Sequence, residues 1–384
     1  MKNINNVSVV MAKCCRCNNC INTCPEKAIS FFTNENSTVY PIINDKCINC
    51  GACLEKCPII NSSLKDPYTN KQFYWFVNPS NSIVNASSSG GFFYEAAKAF
   101  LQKGGIVYAA RFESSKVIFD CFDSITNIGP YLKSKYVESS TRQTFKEIRS
   151  RLIEGESIMF VGSPCQVAAL KLFTDNHENL TTIDFVCGGM PLKVIFENYI
   201  QCLENKYKSK IVSLNFRPKK ISWRIHQLEI VFENKKRLIE TMYKNPYLYY
   251  FVLNKKTIRE SCFTCEYKEK HHSDLIIADY WKASPELISK FKSGISLVTI
   301  NSKKGEDLFN SIPKSNNCFG SLNELDGNYI FNKVYLTEKE KNSFIEDRNL
   351  IIKKGVTTVF KKQPIKTRTA LFLKDILYKY GIKK

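Results

Sequence analysis

Two copies of one cysteine pattern decide the fold of the N-terminal region: C-C-R-C-N-N-C-I-N-T-C-P at residues 14–25 and C-I-N-C-G-A-C-L-E-K-C-P at residues 47–58. Each copy has the spacing C-x2-C-x2-C-x3-C, with a proline directly after the last cysteine. Cysteines separated by two residues let one loop bind three corners of a cubane, and this spacing is typical of proteins with two [4Fe–4S] clusters. A proline at that position stops a helix and turns the chain. The pattern therefore predicts two iron–sulfur clusters near the N-terminus.

The fourth cysteine of each copy is expected to bind the cluster of the other copy, as in bacterial-type two-cluster ferredoxins. One predicted [4Fe–4S] cluster therefore binds Cys14, Cys17, Cys20 and Cys57, and the other binds Cys47, Cys50, Cys53 and Cys24. A structural zinc site is a poorer interpretation, because zinc sites usually take their ligands as two well-separated pairs. A disulfide knot would require an oxidising compartment, to which nothing in the sequence points. Cys15 has no place in the pattern and is predicted to be a packed thiol near the cluster.

The composition changes after the cysteine-rich region, which predicts a chain of several domains. Residues 1–62 are predicted to form the ferredoxin-type domain, and the polar, turn-rich residues 63–72 a linker. From residue 73 onward, alternating strand and helix patterns predict an α/β core with a mixed sheet, divided into regions 73–160 and 161–340. A basic C-terminal extension is predicted at residues 341–384. The predicted fold class of the whole chain is α+β.

Composition restricts the compartment and the partners. The start of the 384-residue chain has no apolar run long enough for a signal peptide, and no stretch approaches the length of a membrane-spanning helix. We therefore expect a cytoplasmic protein, in which the 16 cysteines stay reduced unless a metal binds them. The formal net charge of +20 suits an acidic partner or an acidic membrane, although a lysine excess can also reflect an AT-rich genome. No recognised nucleic-acid motif is present, so no nucleic-acid partner is expected.

The stretch S-S-S-G-G at residues 87–91 directly precedes a predicted helix at residues 92–102. Backbone N–H groups at the N-terminus of a helix form an anion site that suits a phosphate. Serines before a helix also act as N-caps, and capping alone explains these residues about as well. The sequence contains neither G-x-G-x-x-G nor G-x-x-x-x-G-K-[ST], so neither a Rossmann dinucleotide site nor a P-loop is predicted.

Four further cysteines lie near predicted functional turns. Cys165 and Cys187 follow two consecutive strands, each of which leads through a turn into a helix. The carboxyl ends of the strands in such units lie at one edge of the sheet, where ligands bind. Cys262 and Cys265 form a C-x2-C in a polar segment. Four thiolates suit either another [4Fe–4S] cluster or an all-thiolate zinc site, and their spacing does not separate the two.

A competing interpretation makes Cys165 a nucleophile, because the dipole at a helix N-terminus favours a thiolate. That role needs a base, and no histidine lies near Cys165 in the sequence. Three cysteines are interpreted as ordinary thiols: Cys121, Cys202 and Cys318. Three histidines are candidates for acid–base chemistry by residue type alone, and we expect them at the surface: His226, His271 and His272.

The core also carries longer motifs: V-G-S-P-C-Q-V-A-A-L-K (161–171), D-F-V-C-G-G-M-P (184–191), C-F-T-C-E-Y-K (262–268), S-D-L-I-I-A-D-Y-W (273–281), S-K-Y-V and G-I-S-L-V-T-I-N-S-K-K-G. Together with S-S-S-G-G they resemble the coenzyme F420 hydrogenase/dehydrogenase beta-subunit family. The resemblance runs from about Ser87 to Ile312. On this resemblance, regions 73–160 and 161–340 are similar to the N-terminal and C-terminal regions of the beta subunit. An N-terminal two-cluster ferredoxin domain is a common arrangement in the family.

The resemblance implies an iron–sulfur flavoprotein oxidoreductase. A flavin, expected to be FAD, would exchange a hydride with F420 or another small organic carrier and pass electrons singly to the clusters. A third [4Fe–4S] cluster would be bound in the core by Cys165, Cys187, Cys262 and Cys265. Flavin or phosphate contacts are implied at Ser88, Ser89, Gly90, Gly91, Lys135 and Tyr136. A ferredoxin or another redox protein would be the protein partner.

One motif departs from the family and keeps other functions open. Family members usually read G-D-F-W-G where this chain has A-D-Y-W-K at residues 278–282. Replacement of both glycines would crowd a backbone that approaches the flavin. One alternative is a flavin/Fe–S reductase associated with polysaccharide biosynthesis. Another is a non-catalytic electron-relay subunit that docks on an acidic redox partner through a basic face.

The basic tail has apolar residues at roughly helical spacing: Leu371, Phe372, Ile376, Leu377 and Tyr380. Such a helix can dock on a partner or on lipid headgroups, which would give peripheral membrane contact. Alternatively, the tail only covers its own domain.

Overall fold

The computed structural model describes residues 5–33, 39–61, 64, 71–141, 143–313, 318–322 and 336–379. Most of the linker predicted at residues 63–72 lies outside these ranges, and so does Tyr380 of the tail. Within them, the chain forms an N-terminal ferredoxin module, a large mixed sheet covered by helices, a small antiparallel sheet and a set of C-terminal helices. The predicted α+β class, with a ferredoxin domain followed by a mixed sheet, is confirmed.

The ferredoxin module is built around its cysteines. Short helices α1 (Asn19–Thr23) and α2 (Ala52–Glu55) contain the third cysteine of each copy, and strands β1 (Ile29–Thr33) and β2 (Val39–Ile43) pair antiparallel between them. Three buried apolar residues of the module pack against its cysteines: Val7, Val10 and Ile29. Because cysteines form part of this small core, we expect the module to depend on bound metal for stability.

The other strands belong to two sheets. The four central strands of the larger sheet are parallel, in the order β12-β8-β7-β4. The antiparallel neighbours β13 and β5 extend this sheet on its two sides. Among the described residues, the full order is β14-β3-β13-β12-β8-β7-β4-β5-β6. Strands β9, β10 and β11 form the small antiparallel sheet. Their bounds are β3 (Gln72–Phe76), β4 (Ile106–Glu113), β5 (Lys116–Phe122), β6 (Ser139–Ser140), β7 (Ile158–Gly162), β8 (Leu180–Phe185), β9 (Ile211–Asn215), β10 (Gln227–Phe232), β11 (Arg237–Thr241), β12 (Leu275–Asp279), β13 (Ser296–Ile300) and β14 (Phe319–Leu322).

Both faces of the large sheet are covered by helices. Met159 of β7 packs into one apolar core, while its neighbours Ile158 and Phe160 pack into another. This alternation follows from the two-residue repeat of a strand, and it makes the central strands apolar on both sides. Helices α4 and α10 contribute to the first core, and α5 and α6 to the second. The helices after the module are α3 (Asn81–Ala86), α4 (Phe92–Leu101), α5 (Thr144–Ile153), α6 (Pro164–Phe173), α7 (Lys193–Tyr207), α8 (Pro246–Leu248), α9 (Pro285–Lys290), α10 (Lys303–Ser311), α11 (Glu338–Lys354), α12 (Val356–Lys361) and α13 (Ile365–Lys379).

The predicted core regions 73–160 and 161–340 share the large sheet, and β7 spans their boundary. Helix α8 is short and continues as a π-helical turn at Tyr249–Leu253. Within the described ranges, no helix is both long enough and apolar enough to cross a membrane.

Candidate iron–sulfur and flavin site

The first cysteine group of the module is Cys14, Cys17, Cys20 and Cys57. Cys14 and Cys57 act electrostatically on Cys20, and Cys14 and Cys20 act on Cys17, so the four side chains lie close together. Burial, followed by the neighbouring thiolates, raises the pKa of Cys20 to about 12. Buried thiols that repel one another as thiolates need a positive centre to become ligands, and an iron–sulfur cubane supplies one.

The second cysteine group is Cys24, Cys47, Cys50 and Cys53. All four line one cavity, together with Asn5 and Asn6. The cavity reaches the surface, because Cys50 is exposed whereas Cys53 is buried. The backbone N–H of Ala28 donates to Cys24 Sγ at 3.3 Å. Such N–H donors to sulfur are among the contacts that set cluster potentials.

The core cysteine group is Cys165, Cys187, Cys262 and Cys265. Strands β7 and β8 are parallel neighbours, so Cys165 in the first turn of α6 and Cys187 beyond β8 lie at one sheet edge. Cys187 is influenced electrostatically by the other three thiols, and the backbone N–H of Met190 donates to Cys262 Sγ at 3.3 Å. Burial raises the pKa of Cys265 to about 12. The four predicted core cysteines therefore converge.

The fit of the core group to a metal rests on its donor chemistry. Four half-buried thiols with raised pKa values match the all-thiolate donor set of a [4Fe–4S] cluster or of zinc. In the part of the chain that the structure describes, no three His, Cys, Asp or Glu side chains lie close enough together to bind a single metal ion, so the match of the core group is one of donor type and not of spacing for zinc. A hydrogen bond with Cys15, followed by burial, raises the pKa of Cys165 well above its ordinary value. A nucleophilic cysteine has a lowered pKa, so the raised value does not support the nucleophile interpretation.

The ferredoxin module is docked onto the core through its first cysteine group. Asn19 Nδ2 donates to the Ala169 carbonyl of α6 at 2.7 Å, and Thr141 Oγ1 donates to the Cys17 carbonyl at 2.8 Å. The Tyr267 hydroxyl donates to the Pro58 carbonyl. The thiol of Cys15 interacts with both Cys17 and Cys165. The unassigned cysteine thus lies between the first module group and the core group.

Two stretches expected to contact a flavin meet in space. Ser88 Oγ and Ser134 Oγ are 2.9 Å apart, and Ser134 precedes Lys135 and Tyr136. Ser89 Oγ donates to the Ile295 carbonyl at 2.7 Å. Gly90 is required by packing, because a Cβ there would lie 2.3 Å from the Phe76 carbonyl oxygen. The glycine requirement at this position therefore comes from the sheet, not from a ligand.

Lys135 and Tyr136 have protein partners of their own. Lys135 Nζ donates to the carbonyls of Leu132 and Lys133, and burial lowers its pKa to about 7. The Tyr136 hydroxyl accepts from Arg217 Nη1 at 3.3 Å. Lys135 therefore braces its own loop, and Tyr136 connects that loop to Arg217.

A basic and aromatic group around Arg217 was missed by sequence reasoning. Arg217 Nη1 donates to Asp279 at 3.0 Å, and the rings of Trp223 and Trp281 stack with centroids 5.2 Å apart. Lys219 Nζ donates to the Ser89 carbonyl at 2.7 Å. Burial and then the charge of Arg217 lower the pKa of Lys219 to about 7. A signal was present in F-R-P-K-K at residues 216–220, but only the topology brings it to the S-S-S-G-G stretch.

The motif that departs from the family contributes to this group. In the A-D-Y-W-K stretch, Asp279 accepts a hydrogen bond from Arg217, and the ring of Trp281 stacks on that of Trp223. Ala278, which replaces the first glycine, pairs with Leu297 in the antiparallel ladder between β12 and β13.

The expected surface position of two histidines is wrong. His271 and His272 are 3% and 8% exposed. His271 Nδ1 lies 2.8 Å from the buried carboxylate of Asp184, at the end of β8. A polar segment after C-x2-C suggested exposure, but both histidines are buried, and one is paired with a buried carboxylate. His226 is half-buried, and burial, followed by the charges of Arg217 and Lys255, lowers its pKa well below the ordinary value.

Two cysteine groups in a ferredoxin module, docked on an α/β sheet, are typical of an iron–sulfur protein with an electron-transfer role. Residues 155–319 match the family model for the C terminus of the "Coenzyme F420 hydrogenase/dehydrogenase, beta subunit", and residues 13–60 match the "4Fe-4S dicluster domain". Both matches bear out the resemblance predicted from the motifs: residues 155–319 are similar to the C-terminal region of this beta subunit, and residues 13–60 to a dicluster ferredoxin domain. Its class as an oxidoreductase with an electron-transfer role is likewise supported.

Among solved structures, the chain is similar to a chain of the F420-reducing [NiFe] hydrogenase complex from Methanosarcina barkeri, in a structure of its xenon derivative. The identity is 15%, the TM-score is 0.44, and the similarity covers 79% of this chain and 95% of that chain. No curated protein matches the sequence.

Proposed function

We propose that this protein is an iron–sulfur flavoprotein that passes electrons between an organic hydride carrier, bound near FAD, and [4Fe–4S] clusters. The observation that carries the proposal is the contact between the first module group and the core group. The Cys15 thiol interacts with Cys17 on one side and with Cys165 on the other. Iron–sulfur clusters bound by cysteine groups in series, from a sheet edge to the surface, would suit one-electron transfer through the protein.

The core cluster is proposed to be a third [4Fe–4S] cluster bound by Cys165, Cys187, Cys262 and Cys265. Their convergence and the backbone donor to Cys262 Sγ support it. Adjacency to a dicluster domain favours a redox centre over a structural zinc ion, because zinc carries no electron. Iron and zinc analysis of the purified protein separates the two.

The flavin is proposed to bind where the stretches 88–91 and 134–136 meet. Its supports are the contact between Ser88 and Ser134, the proximity of Lys219 to Ser89, and the Trp223–Trp281 pair. Lysine and arginine side chains suit the phosphates of FAD, and aromatic rings suit its planar ring system. When bound, a flavin exchanges electron pairs with an organic carrier and single electrons with iron–sulfur clusters.

Electrons are proposed to leave through the second module group to a redox protein such as a ferredoxin. Cys50 is exposed and Ile48 beside it is 64% exposed, so this group lies at the surface. An apolar, exposed side chain next to a redox centre suits a transient partner. The small-molecule partner would be the hydride carrier, F420 or another.

A second contact, with an anionic lipid surface, is proposed for α13. Leu371 packs into the chain's own core, and Asp375 accepts a hydrogen bond from Thr241, so one face of the helix is docked. Ile365, Phe372 and Leu373 are 80%, 63% and 53% exposed. Basic residues flank them along the chain: Lys361, Lys362, Lys366, Arg368, Lys374 and Lys379. Exposed apolar side chains among cations suit a membrane of negative lipids.

The lipid contact is tested by cosedimentation with vesicles of phosphatidylcholine, with and without phosphatidylglycerol. We expect binding only to the anionic vesicles, and its loss in a Phe372→Ser/Leu373→Ser variant. Ile153→Ser removes an apolar side chain that is 73% exposed on α5 and is the matched control. Equal binding by wild type and the double variant would exclude α13 as the contact.

The experiment that tests the main proposal is anaerobic purification followed by iron, sulfide and flavin quantification on one sample. About twelve irons and about one flavin per chain would support three cubanes and a flavin site. About eight irons and no flavin, even after incubation with FAD, would overturn the proposal. That result would leave the non-catalytic relay subunit as the function.

The hydride carrier is tested on the flavin-loaded protein. Oxidation of reduced F420 coupled to reduction of a ferredoxin would identify a deazaflavin enzyme. Flavin reduction by other donors, without turnover of F420, would favour the reductase associated with polysaccharide biosynthesis.

A further inference from the structure

A buried carboxylate lies between two arginines at the junction of the ferredoxin module and the core. Glu138, just before β6, is 8% exposed, and its Oε1 contacts Arg259 Nη2 at 2.6 Å and also Arg16 Nη1. Arg16 belongs to the first cysteine motif, Glu138 to the S-K-Y-V-E stretch, and Arg259 to the segment before Cys262. The three residues, here called the junction triad, join three parts of the chain that sequence analysis treated separately.

The junction triad lies among the cysteines of two groups. The charge of Arg259 acts on Cys165 and Cys262 of the core group, and also on Cys14 of the first module group. Arg259 Nη1 also donates to the Cys15 carbonyl at 2.7 Å. The charge of Arg16 acts on Cys14. Any redox centre held by either group would therefore be exposed to these fixed charges at short range.

The charges of the triad do not cancel. Two guanidinium groups and one carboxylate leave one net positive charge in a site with little water to screen it. Burial alone would lower the pKa of Arg259, but Glu138 and the neighbouring cysteines raise it above the ordinary value. The guanidinium therefore stays charged at every working pH.

Reduction of an iron–sulfur cluster adds one negative charge. A buried cation next to the ligands stabilises the reduced state and raises the reduction potential, and a carboxylate lowers it. We infer that the junction triad sets the reduction potentials of the core cluster and of the first module cluster, with Arg259 raising both and Glu138 limiting the rise. The part of this inference that concerns the core cluster rests on the proposed function. The part that concerns the first module cluster does not depend on the core cluster.

A purely structural role explains the triad less well. The module is already held by neutral hydrogen bonds from Asn19, Thr141 and Tyr267. Among the described residues, Glu138 Oε2 and Arg259 Nε are buried without a hydrogen-bond partner. A buried ion pair with unpaired atoms contributes little to stability, because desolvation offsets the attraction. Its position between two cysteine groups gives the charges a function that apolar residues could not perform.

The test is an anaerobic redox titration, followed by EPR of the reduced clusters, on wild type and three variants. Arg259→Gln is expected to lower the reduction equilibrium constant of the core cluster at least tenfold, which is about 59 mV for one electron. Glu138→Gln is expected to raise it by a similar factor, and Arg259→Lys to stay close to wild type. The matched control is Asp175→Asn, which removes an exposed ion pair with Lys56 at the same junction. It should leave the potentials unchanged, because exposed charges are screened.

Unchanged potentials in both Arg259→Gln and Glu138→Gln would overturn the inference. If Arg259→Gln fails to incorporate a cluster, Glu138→Gln decides alone, because a merely structural role predicts no upward shift of potential. If wild type contains only about eight irons, the proposed core cluster fails instead. In that case the reduction potential of the first module cluster, next to Arg16 and Cys14, tests the inference. It is expected to fall in Arg259→Gln and to rise in Glu138→Gln.

Discussion

The ferredoxin module and the core assemble their thiols in opposite ways. In the module, two short segments at residues 14–24 and 47–57 supply the eight predicted ligand cysteines, and their spacing predicts which of them converge. In the core, four cysteines come from three distant segments, and only the parallel pairing of β7 and β8 brings the first two together. A local site can be recognised from its pattern, whereas a dispersed site has to be inferred from the order of the strands.

The two regions also differ in what surrounds their thiols. The second module group lines a cavity that reaches solvent at Cys50, and the module has few apolar residues of its own. The core group lies at the edge of the packed sheet, where the buried Asp184 near the end of β8 pairs with His271. The core fold is thus expected to survive loss of its metal, while the module is expected to depend on its clusters.

The largest expected effect separates these two kinds of site. A Cys187→Ser/Cys262→Ser variant should lose about four of about twelve irons and keep a folded ferredoxin module. Iron and sulfide analysis, together with EPR of the reduced protein, measures this. Cys202→Ser changes an exposed thiol of α7 and should lose nothing. Full iron content in the double variant would show that these cysteines hold no cluster.

A second pair of variants tests whether the fourth cysteine of each copy binds the cluster of the other copy. Cys57→Ser should remove the first module cluster and loosen the junction, because Tyr267 bonds to the carbonyl of the following Pro58. Cys24→Ser should remove the second cluster at the surface and leave the junction intact. Proteolysis and thermal unfolding followed by EPR would distinguish them, with the larger loss of stability in Cys57→Ser. Equal behaviour of the two variants would contradict the exchanged assignment.

Much of the fold was predictable from local patterns. The helix predicted at residues 92–102 is α4 (Phe92–Leu101), because its apolar residues recur with a helical period. The strands β5 and β11 were not predicted. Both are second strands of hairpins, stabilised by pairing with β4 and β10 rather than by a strong pattern of their own.

The candidate site was predictable only in part. Convergence of the core cysteines followed from strand order, but the junction triad did not, since Arg16, Glu138 and Arg259 carry no motif and meet only when the module docks. The group around Arg217 was missed for the same reason. Two histidines were misplaced because a polar segment suggests solvent, although here its polar groups bond to buried partners such as Asp184.

A smaller effect is expected from one hydrogen-bonding side chain at the junction. Asn19 is fully buried, and its Nδ2 donates to the carbonyls of Lys56 and Ala169 at 2.8 and 2.7 Å. Asn19→Ala removes both hydrogen bonds and should lower the free energy of unfolding by about 2 kcal/mol. Chemical denaturation measures this. Asn234→Ala, in an exposed turn, is the control, and a loss no larger than the control's would mean that Asn19 does not hold the module.

The smallest expected effect concerns the pH dependence of flavin binding in the core. Lys219 contacts the S-S-S-G-G stretch, and burial, followed by the charge of Arg217, lowers its pKa to about 7. An anionic ligand binds the protonated amine, so affinity for FAD should be constant below this pKa. Above it, affinity should fall by at most about tenfold per pH unit, because the amine must first take up a proton. Fluorescence titration at several pH values measures this. Lys219→Gln should bind FAD more weakly at pH 6 and lose this part of the dependence. Retention of the full dependence in Lys219→Gln would place the phosphates of the flavin away from Lys219.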